Sequence, residues 1–202
     1  MGLIPAEDEE PNRIIYTFAA PQQAKGVYED GIALKRMRAP GTKRGPAAKT
    51  GNYLQSILGL KEAKREGFDD ILWSNSEGEI TEASASNIFF MRREGDGIDF
   101  VTPPSHSGLL MGITRANLIR LLNDAKIPAR EEIIYADEIP RFDEAFLCST
   151  VRGLVPIAKI DRHVMHSARD KAVFRHIERL FLSWVESEIG IRVDWNTGQP
   201  AR

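Results

Sequence analysis

Asp69-Asp70-Ile71-Leu72-Trp73-Ser74-Asn75-Ser76-Glu77-Gly78-Glu79-Ile80-Thr81-Glu82-Ala83-Ser84-Ala85-Ser86-Asn87-Ile88-Phe89-Phe90 decides the fold. Residues 71–74 and 79–81 flank the polar turn Asn75-Ser76-Glu77-Gly78, the pattern of a hairpin. Residues 87–91 read as a third strand and 98–101 as a fourth, with Gly95 and Gly97 supplying unusual φ in the turn at 92–97. Successive strands argue against strictly alternating βαβ units, and the chain has no glycine-rich dinucleotide fingerprint. The fold class is therefore mixed α/β (α+β).

On the N-terminal side of this stretch, Tyr53, Leu54, Ile57, Leu58 and Ala63 recur at helical spacing, and Gly67 ends the run. Pro46 and Gly51 punctuate its entry. Lys49 and Tyr53 lie four apart, so a helix reaching back to Lys49 sets both on one face. Taken alone, Lys49 reads as a solvated surface lysine; the sharper reading is a Schiff-base lysine with the phenol aimed at the same ligand. Further back, residues 31–38 and 13–18 are strand candidates, 21–25 a loop, 39–46 a linker dense in Gly and Pro, and 1–12 loosely held.

On the C-terminal side, Ile113, Ala116, Leu118, Ile119, Leu121 and Leu122 mark a helix. Residues 131–135, 145–149 and 155–160 read as strands, and 137–142 as a turn of helix. An amphipathic helix follows from about 167 to 188, with Val173, Phe174, Ile177, Leu180, Phe181, Trp184 and Val185 on its apolar face. The polar tail after Gly190 is expected to fray.

The chain has 202 residues, 42% hydrophobic and 28% charged, enough for one substantial domain. Its formal charge of −2 gives no basic field for nucleic acid or an anionic membrane. The local run Lys35, Arg36, Arg38, Lys43, Arg44 and Lys49 lacks interleaved aromatics and reads as a solvated edge. Cys148, the single cysteine, lies in an apolar run and reads as a buried structural thiol, which fits a reducing compartment. His106, His163, His166 and His176 show no metal-binding spacing. No stretch is long and apolar enough to span a membrane, and the N-terminus lacks the regions of a signal peptide. A cytoplasmic protein is expected.

Gly45-Pro46-Ala47-Ala48-Lys49-Thr50-Gly51-Asn52-Tyr53, the 69–90 stretch, Leu109-Leu110-Met111-Gly112-Ile113-Thr114-Arg115 and Cys148-Ser149-Thr150-Val151-Arg152-Gly153 form an ordered set. In that order the sequence resembles the class IV aminotransferases, pyridoxal-phosphate enzymes of fold type IV, over roughly residues 30–185. The resemblance implies the C-terminal domain of that architecture and pyridoxal 5′-phosphate as cofactor. It implies Lys49 as the Schiff-base lysine and Tyr53 on the ring hydroxyl. Glu82 would face the ring nitrogen; taken alone, it would be a surface residue. Leu110 would pack on the ring face, and Ile113 and Thr114, at a helix start, would meet the phosphate with Thr150. The amides of Thr150 and Val151 would meet the substrate carboxylate. Arg152 is an additional carboxylate anchor of undetermined direction. Ala83 departs from the glycine usual after the glutamate.

Family members carry a separate N-terminal domain before the lysine. Only 48 residues precede Lys49 here, so an N-terminally truncated chain is expected. Residues 1–45 would be its remnant with the interdomain loop, 46–190 the cofactor-binding domain and 191–202 a polar tail. The leading function is amino transfer between a branched-chain amino acid and a 2-oxo acid, in a homodimer. The alternatives are an aminodeoxychorismate lyase, a D-amino acid aminotransferase, or a catalytically weak or inactive remnant.

Overall fold

Apolar residues run without a break over 88–91 in β4 (Asn87–Glu94) and over 145–148 in β7 (Glu144–Ser149), because these parts of the two strands are covered on both faces in this computed structural model. Residues 13–19, 23–39, 49–95, 97–165, 172–194 and 199–200 are described. Ile88 and Phe90 of β4, with Ala145 and Leu147 of β7, face one core; Phe89 and Met91, with Phe146 and Cys148, face the other. Side chains alternate across a strand, so a strand buried on both sides needs an apolar residue at every position.

The other strands of the same sheet are β1 (Ile32–Arg38), β2 (Asp70–Ser74), β3 (Ile80–Ala83), β5 (Gly97–Thr102), β6 (Ala129–Glu131), β8 (Gly153–Ile160) and β9 (His163–Val164). Their order in one sheet is β3-β2-β1-β8-β7-β4-β5-β6, with β9 on β8. The helices are α1 (Lys25–Glu29), α2 (Leu54–Arg65), α3 (Ile113–Asp124) and α4 (Ala172–Ile189). The first core joins Leu34 of β1, Leu72 of β2, Ile80 of β3, Val101 of β5 and Ile157 of β8. Strands from both ends of the order share it, so the sheet curls around it. The second core lies under α3 (Leu118, Leu122) and α4 (Phe174, Ile177, Phe181). This is the mixed α/β fold expected, with two parallel crossovers inside it: β1-α2-β2 and β5-α3-β6. The strand 32–38, assigned from sequence to the 1–45 segment, is hydrogen-bonded between β2 and β8.

Several expectations need correction. Residues 13–19 form no strand, and Ile14, Ile15, Tyr16 and Phe18 are exposed; β-branched composition favours a strand only where neighbours supply packing. Lys25, expected in a loop, begins α1. The 92–97 turn is tighter than expected, since the β4–β5 ladder continues to Glu94 opposite Gly97. Arg92 faces Asp99 across that ladder at 2.9 Å, which keeps it in the strand. The 131–135 strand is broken. β6 ends at Glu131, and the chain crosses to β3, where Ile134 O accepts Ile80 N–H and Tyr135 makes one bridge with Glu79. Beyond Gly190, Val193–Asp194 (β10) pairs with Gln199–Pro200 (β11) where fraying was expected. Residues 1–12, 21–22, 40–46 and 167–171, parts of the expected N-terminal segment, loop, linker and last helix, lie outside the described residues.

Candidate active site

The helix does not reach Lys49, contrary to the sequence expectation. Gly51 has φ 75°, a left-handed conformation that interrupts a right-handed helix, and Tyr53 is the N-cap of α2. The turn still joins the two side chains: Lys49 Nζ donates to Tyr53 Oη and lies 5.0 Å from the ring centroid. Both side chains are exposed to solvent. An exposed amine held against a phenol is a pair placed for an incoming ligand.

The second group is built by the ends of β3, β4 and β7. Glu82, in β3, accepts the Leu110 N–H on Oε2 at 3.0 Å. The bend at 84–86 closes with Ala83 N–H donating to Ser86 O at 2.8 Å. Asn87 opens β4 and donates from Nδ2 to Leu110 O at 2.9 Å. Register pairs Asn87 with Cys148, so the turn after β7, carrying Thr150 and Val151, lies beside that strand start. Thr150 Oγ1 is 3.4 Å from Thr114 Oγ1 at the start of α3. No side chain caps α3, whose N-cap is Gly112. The first amides of a helix have no partner inside it, so this end presents donors and a positive dipole end beside two hydroxyls. Ile113 and Val151 are exposed there. The contacts thus assemble Glu82, Leu110, Thr114 and Thr150 into one group, and Lys49 with Tyr53 into another.

Arg152 does not serve as an open carboxylate anchor. Its Nη2 donates to Asp70 Oδ2 at 3.0 Å and to Ser86 Oγ at 2.8 Å, which turns the guanidinium towards β2 and the 84–86 bend. Cys148 is fully buried, and burial pushes its thiol up to about 12, so it supplies no thiolate at neutral pH. In the basic run, Lys35 is paired with Glu66, Arg36 with Asp161 and the Ala136 carbonyl, and Arg38 with the Ser76 carbonyl. Arg36, Arg38 and Lys49 are exposed, so the edge is solvated as expected while its charges also find partners; Lys43 and Arg44 lie outside the described residues. No group of three or more His, Cys, Asp or Glu suited to a metal is found among the described residues.

Two residues escaped the sequence reading. Arg115 is buried, donating from Nε to Thr102 Oγ1 at 3.2 Å and from Nη2 to Pro103 O at 2.7 Å, with Glu131 at 2.9 Å. It ties the first turn of α3 to the end of β5 and to β6. The signal was its spacing, since Arg115, Leu118 and Leu122 share one helical stripe. Asn87 is also buried, and its signal was a lone amide opening an apolar run.

Residues 2–160 match the family Amino-transferase class IV. The branched-chain-amino-acid aminotransferase of Escherichia coli strain K12 is 31% identical over 157 residues, covering 78% of this chain and 50% of that protein. The chain therefore spans only half the length of that curated relative. Among solved structures, the branched-chain aminotransferase of Thermoproteus uzoniensis, crystallised with norvaline, is 29% identical. Its TM-score is 0.68 over 88% of this chain and 58% of that one. The branched-chain amino acid aminotransferase of Thermobaculum terrenum in its PLP form is 28% identical, with a TM-score of 0.66 over 84% and 55%. The family match takes in Lys49, Glu82, Thr114 and Thr150 together, and by that span the chain belongs to amino-transferase class IV.

Proposed function

We propose that this chain binds pyridoxal 5′-phosphate and transfers an amino group between a branched-chain amino acid and a 2-oxo acid, working as a homodimer. The residue set fits the cofactor: an amine, a phenol, a carboxylate, and two hydroxyls at an uncapped helix start. When bound, the cofactor withdraws electrons from the substrate Cα. Lys49 would hold it covalently and, as a freed amine, would carry the proton between the substrate Cα and the cofactor C4′. Tyr53 donates to the ring hydroxyl. Glu82 keeps the ring nitrogen protonated, and its charge matters most where electrons move into the ring. Leu110 covers a ring face. The Ile113 amide and the Thr114 and Thr150 hydroxyls hold the phosphate, and the Thr150 and Val151 amides receive the substrate carboxylate.

One observation carries this reading. The Thr114 and Thr150 hydroxyls stand 3.4 Å apart at an uncapped helix end, three residues on from the backbone that Glu82 binds. The test is to load the apo-protein with pyridoxal phosphate, then supply L-leucine and 2-oxoglutarate. Glutamate is the expected product. Pyruvate released from aminodeoxychorismate, with no glutamate formed, would replace transamination by elimination. Glutamate from D-leucine alone would reverse the stereochemistry.

A further inference from the structure

Both backbone polar groups of Leu110 are held by side chains five residues apart in sequence. Glu82 accepts its N–H at 3.0 Å, and Asn87 donates to its carbonyl at 2.9 Å. Asn87 also reaches Gly112: a Cβ built there would stand 2.2 Å from Asn87 Oδ1. The glycine therefore lets the α3 N-cap approach the amide closely. Residues 110–112 form a short strap, with Glu82 on its first residue and the α3 N-cap as its last.

We propose that Asn87 is a positioning residue that fixes this strap and thereby sets the spacing between the Glu82 carboxylate and the Thr114 end of α3. The inference rests on the cofactor reading above. Pyridoxal phosphate is rigid between its ring nitrogen and its ring carbons, and its phosphate hangs on a short arm. A site that grips both ends must hold them at one separation, to within a fraction of an ångström. Asn87 suits this task because it stands on a strand locked in register against Cys148 and is 6% exposed. Its side chain also meets both ends of the strap, the Leu110 carbonyl and the Cβ side of Gly112. An aspartate would set an acceptor against the Leu110 carbonyl. An alanine would leave that carbonyl unpaired and a void beside Gly112.

The experiment compares wild type with Asn87→Asp, Asn87→Ala and Gly112→Ala, the last of which forces the strap and the Asn87 amide apart without changing the Asn87 side chain itself. Each apo-protein is titrated with pyridoxal phosphate and with pyridoxal, which lacks the phosphate. Amide exchange at residues 110–114 is followed without cofactor. The expected result is an affinity for pyridoxal phosphate about tenfold weaker in the variants, little change for pyridoxal, and faster exchange at Leu110. Equal losses for both ligands would mean that Asn87 acts only on stability, and would overturn the proposal. An unchanged preference for the phosphorylated ligand would overturn it too. Should wild type itself fail to load, the cofactor reading falls and takes this role with it, an outcome distinct from normal loading with an unaltered preference. If the Asn87 variants do not fold, Gly112→Ala alone decides.

Discussion

Lys49 shows how an expected contact can form where its structural rationale fails. The pairing with Tyr53 follows from a spacing of four, yet Gly51 breaks the helix and a turn produces the same contact. We expect borohydride reduction of the loaded protein, followed by peptide mapping, to place the pyridoxyl label on Lys49; a label on Lys61 would assign the amine elsewhere. Glu82 can be tested separately from the strap it anchors. Glu82→Gln keeps an acceptor for the Leu110 N–H, so cofactor loading should change little. The amide no longer holds the ring nitrogen protonated, and turnover should fall by about a hundredfold, since the lost interaction is strongest in the transition state. Wild-type turnover in a correctly loaded variant would remove Glu82 from the ring nitrogen. Glu82 is proposed for the ring nitrogen only through its motif, because a glutamate in a Ser-rich turn looks like surface. Arg152 shows the reverse case: a guanidinium beside a binding loop invited an anchoring role, but a buried carboxylate at Asp70 claims it.

Among the elements, the strands were the most legible. The double-sided burial of β4 and β7 writes itself as unbroken apolar runs, whereas the 13–18 run has the same composition and no strand beside it. Element ends were harder to read, because long-range pairing sets them. β4 extends past Met91 through an ion-pair cluster: Glu132 receives two hydrogen bonds from Arg92, at 2.8 and 2.9 Å, and one from Arg130 at 2.8 Å. No local pattern reveals partners forty residues apart. The Arg92 hydrogen bonds, more than any other cause, lower the Glu132 pKa against the opposing effect of burial. A carboxyl with a depressed folded pKa stabilises the fold above its unfolded pKa, and that stabilisation is lost as pH falls through the folded value. Glu132→Gln should therefore cost about 1 kcal/mol at pH 7, where the pair is partly solvent-screened, and progressively less at an acidic pH below the unfolded value, as the carboxylate of the wild type becomes protonated. Urea denaturation of both proteins at the two pH values measures this. A difference that persists undiminished in acid would show that shape rather than charge ties β4 to the segment after β6.

At the scale of the whole molecule, the order of the four motifs carried more than any element boundary, since it fixed which strand ends meet. The residues that connect the motifs, Asn87 and Arg115, stayed hidden because their partners, backbone groups, a hydroxyl and for Arg115 also the Glu131 carboxylate, are brought to them only by the fold. Helical spacing in α2 does not translate into burial, because the helix buries only Gly59 and Ala63. The close approach to Ile71 and Trp73 is made at Gly59, whose missing Cβ would meet them at 2.9 and 3.1 Å. Leu54, Ile57 and Leu58 follow i, i+3, i+4 spacing on the side that remains, and each is about half exposed or more. A contiguous apolar stripe in water is costly, and a second copy of the chain is the partner that the proposed homodimer supplies. Light scattering at micromolar concentration should then give about twice the 22.6 kDa chain mass. Ile57→Glu, which sets a charge in the middle of the stripe, should shift the population towards monomer while leaving thermal stability nearly unchanged, since Ile57 adds little to either core. A monomeric wild type would remove the dimer from the proposed function. A dimer indifferent to Ile57→Glu would move the contact to a surface other than α2.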